Sequence, residues 1–171
     1  TPWCNDSVSD TTGEAFYIRD YESGHFWSTS LLPSGGKTPY ITRHGFGYSV
    51  FEHIEDGVYT EMTVYIDIET AIKFTVIKIR NQSGRPRKLS ATGYVEWVLG
   101  DNRMKTAMHI QTEIDPESGT LFVKNPYSTE FSDRVAFFDV DRTKKTFTTD
   151  RAEFIGRNGT LKNPDAMSRQ K

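Results

Sequence analysis

Gly100-Asp101-Asn102-Arg103 sets a carboxylate, an amide and a guanidinium side by side where an apolar run ends. A carboxylate only accepts hydrogen bonds, a guanidinium only donates them through a rigid fork, and an amide does both. Such a set suits the neighbouring hydroxyls of a sugar, which pair well with planar, two-pronged groups. Ordinary polar turns carry the same residues, so the types alone leave both readings open. Arg43 and His44 form a second candidate pair, next to the glycine turn Gly45-Phe46-Gly47 at the end of a strand-like segment.

Other chemistries find little support. There is no Gly-x-Ser-x-Gly nucleophile turn, and Cys4 has no recognisable catalytic context. His25, His44, His53 and His109 are far apart and show no metal-ligand spacing such as His-x-x-x-His, so no metal is expected. Asp139-x-Asp141-x-Thr143 imitates a calcium loop but has Lys144 where the sharp turn needs glycine, with Lys145 adding a second repelling charge. Gly45-Phe46-Gly47 lacks the third glycine and following helix of a phosphate cradle and reads as a turn. Arg85-Pro86-Arg87-Lys88 reads as a solvated basic turn. Asn5, Asn81 and Asn158 begin glycosylation sequons that carry weight only on a secretion route. Glu96 is the best-placed carboxylate for glycoside chemistry, but a strand glutamate paired to a cross-strand Lys or Arg is its expected role. No catalytic residue and no cofactor are assigned.

The elements that must hold these residues are strands. From Leu89 the chain alternates as far as Leu99, with Leu89, Ala91, Gly93, Val95, Trp97 and Leu99 on one face and Tyr94 and Glu96 on the other. Ala15–Arg19 and His25–Ser28, joined through Glu22-Ser23-Gly24, predict a hairpin. Further strands are predicted at Tyr40–His44, Tyr48–Ile54, Val58–Ile66, Ala71–Arg80, Met108–Ile114, Leu121–Lys124, Val135–Val140 and Phe147–Thr149. Ala71–Arg80 spreads its apolar residues over both faces, the pattern of a strand covered on both sides. No segment keeps a 3.6-residue apolar period over three turns. Many short strands with Gly, Pro, Asn and Asp between them predict an all-β antiparallel sandwich.

A chain of 171 residues holds one domain with a substantial core, here placed at residues 1–155, with 156–171 a polar tail or the start of a linker. Net charge is -2 with Lys and Arg scattered, which argues against a nucleic-acid or anionic-membrane surface. One cysteine excludes an internal disulfide framework, and no apolar run approaches the roughly 20 residues of a membrane span. These features predict a soluble domain from a reducing compartment. Aromatic residues make up 13% of the chain, enough for a β core or for a carbohydrate binder, and do not choose between them.

Several stretches in one order carry a resemblance. Thr1-Pro2-Trp3-Cys4-Asn5-Asp6, Gly13 to Asp20 followed by Trp27-Ser28, Arg43 to His53, Asn81 to Arg87 and Tyr94 to Gly100 together resemble the N-terminal β-sandwich of glycoside hydrolase family 94. The resemblance is nearest on the cyclic β-1,2-glucan synthase side of the family, with the disaccharide phosphorylases more distant. It implies a large sandwich of the galactose-mutarotase type, of which this chain is a fragment, ahead of an (α/α)6 barrel. In the family that barrel holds the catalytic acid, and inorganic phosphate is the nucleophile, so phosphate would be met only through the barrel. Cys4 stands where the family's motif has serine.

The resemblance further implies that Asp101, Asn102 and Arg103 form a loop which reaches an acceptor sugar, although the loop is shorter here than in the phosphorylases. Arg43 and His44 rank second. The implied role is a non-catalytic carbohydrate-recognition and scaffold lobe of a glucan-processing phosphorylase or cyclic β-1,2-glucan synthase. Its partners would be a β-linked gluco-oligosaccharide and a second copy in a homodimer, with no nucleic acid and no membrane contact by this segment. The implied location is cytoplasmic, the inner membrane included as a place of attachment for the parent. Two rivals stand beside it: an autonomous carbohydrate-binding module using Trp3, Trp27 or neighbouring tyrosines, and a purely structural dimerisation lobe.

Overall fold

The computed structural model describes residues 13–142 and 144–169. Within them the predicted strands appear as β1 (Glu14–Asp20), β2 (Phe26–Ser28), β3 (Tyr40–Gly45), β4 (Tyr48–Glu55), β5 (Val58–Ile66), β6 (Lys73–Asn81), β7 (Leu89–Val95), β8 (Gln111–Ile114), β9 (Leu121–Lys124) and β10 (Val135–Phe138). Helices are short: α1 (Arg103–Thr106), α2 (Arg151–Ile155) and α3 (Asp165–Ser168). No helix among the described residues is long and apolar enough to cross a membrane. The strands order into sheets β2-β1-β7, β3-β4-β5-β6 and β10-β9-β8. Pairing is antiparallel throughout β1–β2, β3 to β6 and β8 to β10, as the all-β reading requires.

The chain divides into two compact units. One is built on Glu14–Tyr94 and the segment from Ala152 onward, the other on Gly13 and Val95–Arg151. In the first, β1 is the middle strand of its sheet and is buried on both faces. Ala15 and Tyr17 join Tyr94, Phe154, Ile155, Leu161 and Met167 in one cluster, while Ile18 joins Trp27 and Val58 in another. An aromatic side chain that buries roughly 150–250 Å² contributes about 4–6 kcal/mol at about 25 cal/mol per Å². The second unit buries Val98 and Val123, and fixes the loop before α1 through the Asn125 amide, which donates to the Leu99 carbonyl at 3.0 Å.

The β1–β2 hairpin forms as its sequence predicts, with Ile18 opposite Trp27. β4 and β5 are joined by Asp56-Gly57, whose φ angles of 47° and 75° make the two-residue turn that matches strand twist. In the four-stranded sheet His53, Glu55, Val58, Thr60 and Met62 are buried and share one face. The opposite face carries Tyr48, Tyr65 and Phe74 on a single rung, Tyr65 and Phe74 stacked at 5.2 Å.

Several expectations change. β7 stops at Val95, and Leu99 takes a left-handed φ of 41°, so the alternation to Leu99 is not strand geometry. The buried residue of β7 is Tyr94, stacked at 5.1 Å on Phe154, from the face that looked less apolar. β6 lies at the end of its sheet, not between two layers, and Phe74, Val76 and Ile79 are each about 40% exposed. Met108 and His109 belong to a 3₁₀ turn, and Phe147–Thr149 is irregular. The segment after Gly156 is not a solvated tail over its described length: Leu161, Pro164 and Met167 are buried in the first unit, and the Leu161 carbonyl accepts from the Tyr17 hydroxyl at 2.7 Å. Its few apolar residues are spaced so that each reaches the core, which overall polarity conceals.

Candidate functional site

The run Glu96–His109 lies in the second unit and turns sharply rather than continuing β7. Asn102 is extended and caps α1, its side-chain oxygen accepting from the backbone N–H of Met104 at 2.9 Å and of Lys105 at 3.2 Å. A short polar side chain that satisfies the first free N–H groups of a helix is the usual reason for Asn at this place. Capping uses the oxygen, so the amide N–H₂ is what Asn102 has left for a ligand. Asp101 is exposed and lies 4.0 Å from the Lys105 ammonium one turn on. Gly100 is required because a Cβ there would sit 2.5 Å from the Thr106 methyl.

Arg103, expected in a loop, is the first residue of α1 and is mostly covered. Its Nη1 lies 3.8 Å from Glu96, whose other oxygen lies 3.6 Å from Nε of Arg151. Glu96 is thus an ion-pairing residue, but not in the cross-strand pair expected: it lies just beyond β7, and its partners are the first residues of α1 and α2. Sequence reasoning missed two neighbours in the same unit: His109 at the end of the 3₁₀ turn and Tyr127, with rings 4.7 Å apart and Tyr127 exposed. Their separation of 18 positions hides the pair, and only the exposed tyrosine beside an Asn-Pro turn could have hinted at it.

Arg43 and His44 belong to the first unit and do not act together. As successive residues of β3 they point to opposite faces of the sheet. Arg43 pairs with Glu52 of β4, and His44 meets the Ser49 hydroxyl at 2.8 Å through Nδ1. A ligand lying on one face of the sheet meets only one of them.

The first unit contains two polar centres that the sequence reading did not identify. Arg87, expected on a solvated turn, is buried, with Nη2 donating to Asp20 at 2.6 Å and Nη1 to the Asp56 carbonyl at 2.8 Å. Burial pushes the Asp20 carboxyl up, but the Glu22 N–H, the Ser23 hydroxyl and Arg87 together hold it below its usual range. Glu55 is also buried, with His25 at 3.0 Å on one oxygen and His53 at 3.1 Å on the other, where the Lys37 N–H also donates at 2.8 Å. Burial raises the Glu55 carboxyl, and the Lys37 N–H and the two imidazoles more than offset it. Gly36 makes room for this centre, since a Cβ there would collide with the Glu55 carboxylate and the His53 ring. Asp20, Asp56, Arg85 and Arg87 line an open depression of about 500 Å³.

Two other expectations bear on the site. Trp27 is fully buried and cannot serve as a binding platform, while Trp3, Cys4 and the Thr1–Asp6 motif lie outside the described residues. In the calcium-like stretch Lys145 pairs with Asp139; Thr143 lies outside the described residues.

Comparison with known proteins agrees with the strand pattern. The family described as glycosyl hydrolase 94, supersandwich domain, matches residues 1–171. The chain is 39% identical over 168 residues to the cyclic beta-(1,2)-glucan synthase NdvB of Rhizobium meliloti (strain 1021), covering 98% of this chain and 6% of that protein. It is 29% identical to the N,N'-diacetylchitobiose phosphorylase of Vibrio furnissii, covering 94% of this chain and 21% of that protein. The cellobionic acid phosphorylase of Neurospora crassa is 27% identical, with 91% and 20% covered. The chain therefore spans a small part of each of these relatives.

Proposed function

The chain belongs to the glycosyl hydrolase 94 supersandwich-domain family, and we propose that it is a non-catalytic lobe that reads an acceptor sugar for a glucan-processing enzyme. The parent would be a cyclic β-1,2-glucan synthase or a related phosphorylase, with catalysis and phosphate binding on another domain. The observation that carries this reading is the 39% identity to a cyclic beta-(1,2)-glucan synthase over 98% of the chain. The geometry of Glu96–His109 gives it a chemical form. Asp101 accepts from a sugar hydroxyl, the Asn102 amide donates, and the Arg103 guanidinium, ion-paired with Glu96, donates to two neighbouring oxygens. The exposed Tyr127 ring, braced by His109, offers a face to sugar C–H groups. The homodimer implied by the family resemblance belongs to the same reading, and sedimentation at increasing concentration tests it.

Titration of the chain with linear β-1,2-gluco-oligosaccharides, followed by NMR, tests the sugar contact. Binding is expected at millimolar concentration, about -4 kcal/mol, with shifts in residues 101–109, and Arg103→Ala should abolish it. Absence of binding, or binding indifferent to Arg103→Ala, would sink the acceptor-reading role. The second outcome has a specific alternative, a sugar stacked on the Tyr48-Tyr65-Phe74 rung of the open sheet face. In that case Tyr65→Ala abolishes the binding that Arg103→Ala spares.

A further inference from the structure

We propose that His25, Glu55 and Asp56 bind one divalent first-row metal ion, for which Zn²⁺ is the probe, and that the ion clamps the β1–β2 turn to the β4–β5 turn. An imidazole nitrogen and two carboxylate oxygens from these residues all lie within 4.8 Å of one another. Nε2 of His25 is 3.0 Å from Oε1 of Glu55. Two ligands at right angles around an ion, each roughly 2.1 Å from it, are about 3.0 Å apart. That gap accommodates either a shared proton or a shared metal ion, so the surroundings decide between them.

Three features favour the ion. The Asp56 carboxylate brings a second negative charge and has no hydrogen-bond or ion-pair partner among the described residues. The cation beside it, Arg87, is engaged with Asp20 and with the backbone carbonyl of Asp56, not with its carboxylate. Secondly, Glu55 is oriented as metal-binding carboxylates are: its far oxygen is fixed by the Lys37 N–H and by His53. Thirdly, adjacent residues of a strand diverge to opposite faces, but the left-handed φ of 47° at Asp56 breaks the alternation and lets its carboxylate gather with that of Glu55. One imidazole with two carboxylates suits Zn²⁺ and its first-row neighbours better than Ca²⁺ or Mg²⁺, which take oxygen ligands. Asp56 lines the open depression, which gives the ion a route in and leaves room for water to complete its shell.

Calorimetric titration of the metal-stripped chain with Zn²⁺, with Co²⁺ absorption as a second readout, tests the site. One ion per chain is expected, with a thermal midpoint that climbs with free Zn²⁺. Asp56→Asn keeps a residue that tolerates left-handed backbone and should weaken binding by at least about tenfold, as should His25→Gln. Failure to saturate, or equal affinity in both variants, overturns the proposal; the latter places the ion on exposed surface histidines such as His44. If His25→Gln does not fold, Asp56→Asn decides alone.

Discussion

At the scale of single residues, charges taken out of water carry the strongest consequences. Arg87 and Asp20 form a buried pair, with side chains 3% and 0% exposed. Arg87→Met fills much of the same space but leaves Asp20 buried beside no guanidinium, and the expected loss is about 3–5 kcal/mol by urea denaturation. The pH dependence follows from the direction of the shift. Asp20 and Glu55 both titrate below their usual ranges in the fold, and unfolded carboxyls near about 4. The stability they contribute is therefore complete above that value and disappears as pH falls through the lowered folded values. Arg87→Met should flatten this acid limb because Asp20 then has less to lose; an unchanged slope would show that Glu22 and Ser23 hold the carboxylate unaided. None of this was legible in Arg85-Pro86-Arg87-Lys88. Four polar letters look solvated unless the carboxylate that covers one of them, 67 positions away, is known to be close. Glu96 was legible as an ion-pairing residue but its partners were not, because Arg103 and Arg151 begin helices and do not lie across a strand from it.

At the scale of elements, period-two alternation and turn residues located nearly every strand, because both are local. Val58–Ile66 forms at its predicted place. Faces and edges were less legible, since they depend on what comes to lie against a strand. Tyr94 is buried because Phe154 stacks on it, and β6 is terminal because no described strand pairs beyond it. The candidate loop shows the same limit: Asn102 was visible as a sugar donor but equally fits its role as a helix cap. Two variants separate these roles. Asn102→Asp keeps the cap and removes the amide donors, whereas Asn102→Ala removes both at a cost of about 1 kcal/mol in local stability. If Asn102 touches the sugar, both variants lose gluco-oligosaccharide binding by NMR titration. Loss in Asn102→Ala alone would make it a positioning residue for Arg103. Amide exchange at Met104 and Lys105 should quicken only in Asn102→Ala, because these two N–H groups are the ones it caps.

At the scale of the whole molecule, the first unit is closed by residues distant in sequence from the strands they cover. Phe154, Ile155, Leu161 and Met167 complete the cluster begun by Ala15, Tyr17 and Tyr94, with the second unit's residues inserted between the two halves in sequence. The closing segment also supplies the acceptor for the Tyr17 hydroxyl, whose pKa burial pushes up with Tyr94 beside it, and the Arg169 carbonyl takes a 2.5 Å bond from Arg19. Leu161→Ala should cost about 2–4 kcal/mol by urea denaturation. Removing residues 159–171 should cost more than the unit can bear. Three buried side chains, at about 1.5–3 kcal/mol each, leave together with a partner whose loss strands a buried hydroxyl, at about 1–3 kcal/mol. Total stabilities of domains run only to about 5–15 kcal/mol. The truncated chain should therefore lose its cooperative transition, while Lys162→Ala on the exposed side of the same segment leaves it in place. Amide exchange offers the sharper check. If the segment is integral to the core, the slowest amides of β1 and those of α3 open with the same free energy in the intact chain, because neither can be exposed without the other. Faster exchange in α3 with β1 still protected would make the segment a peripheral cover, and the truncated chain would then keep its transition.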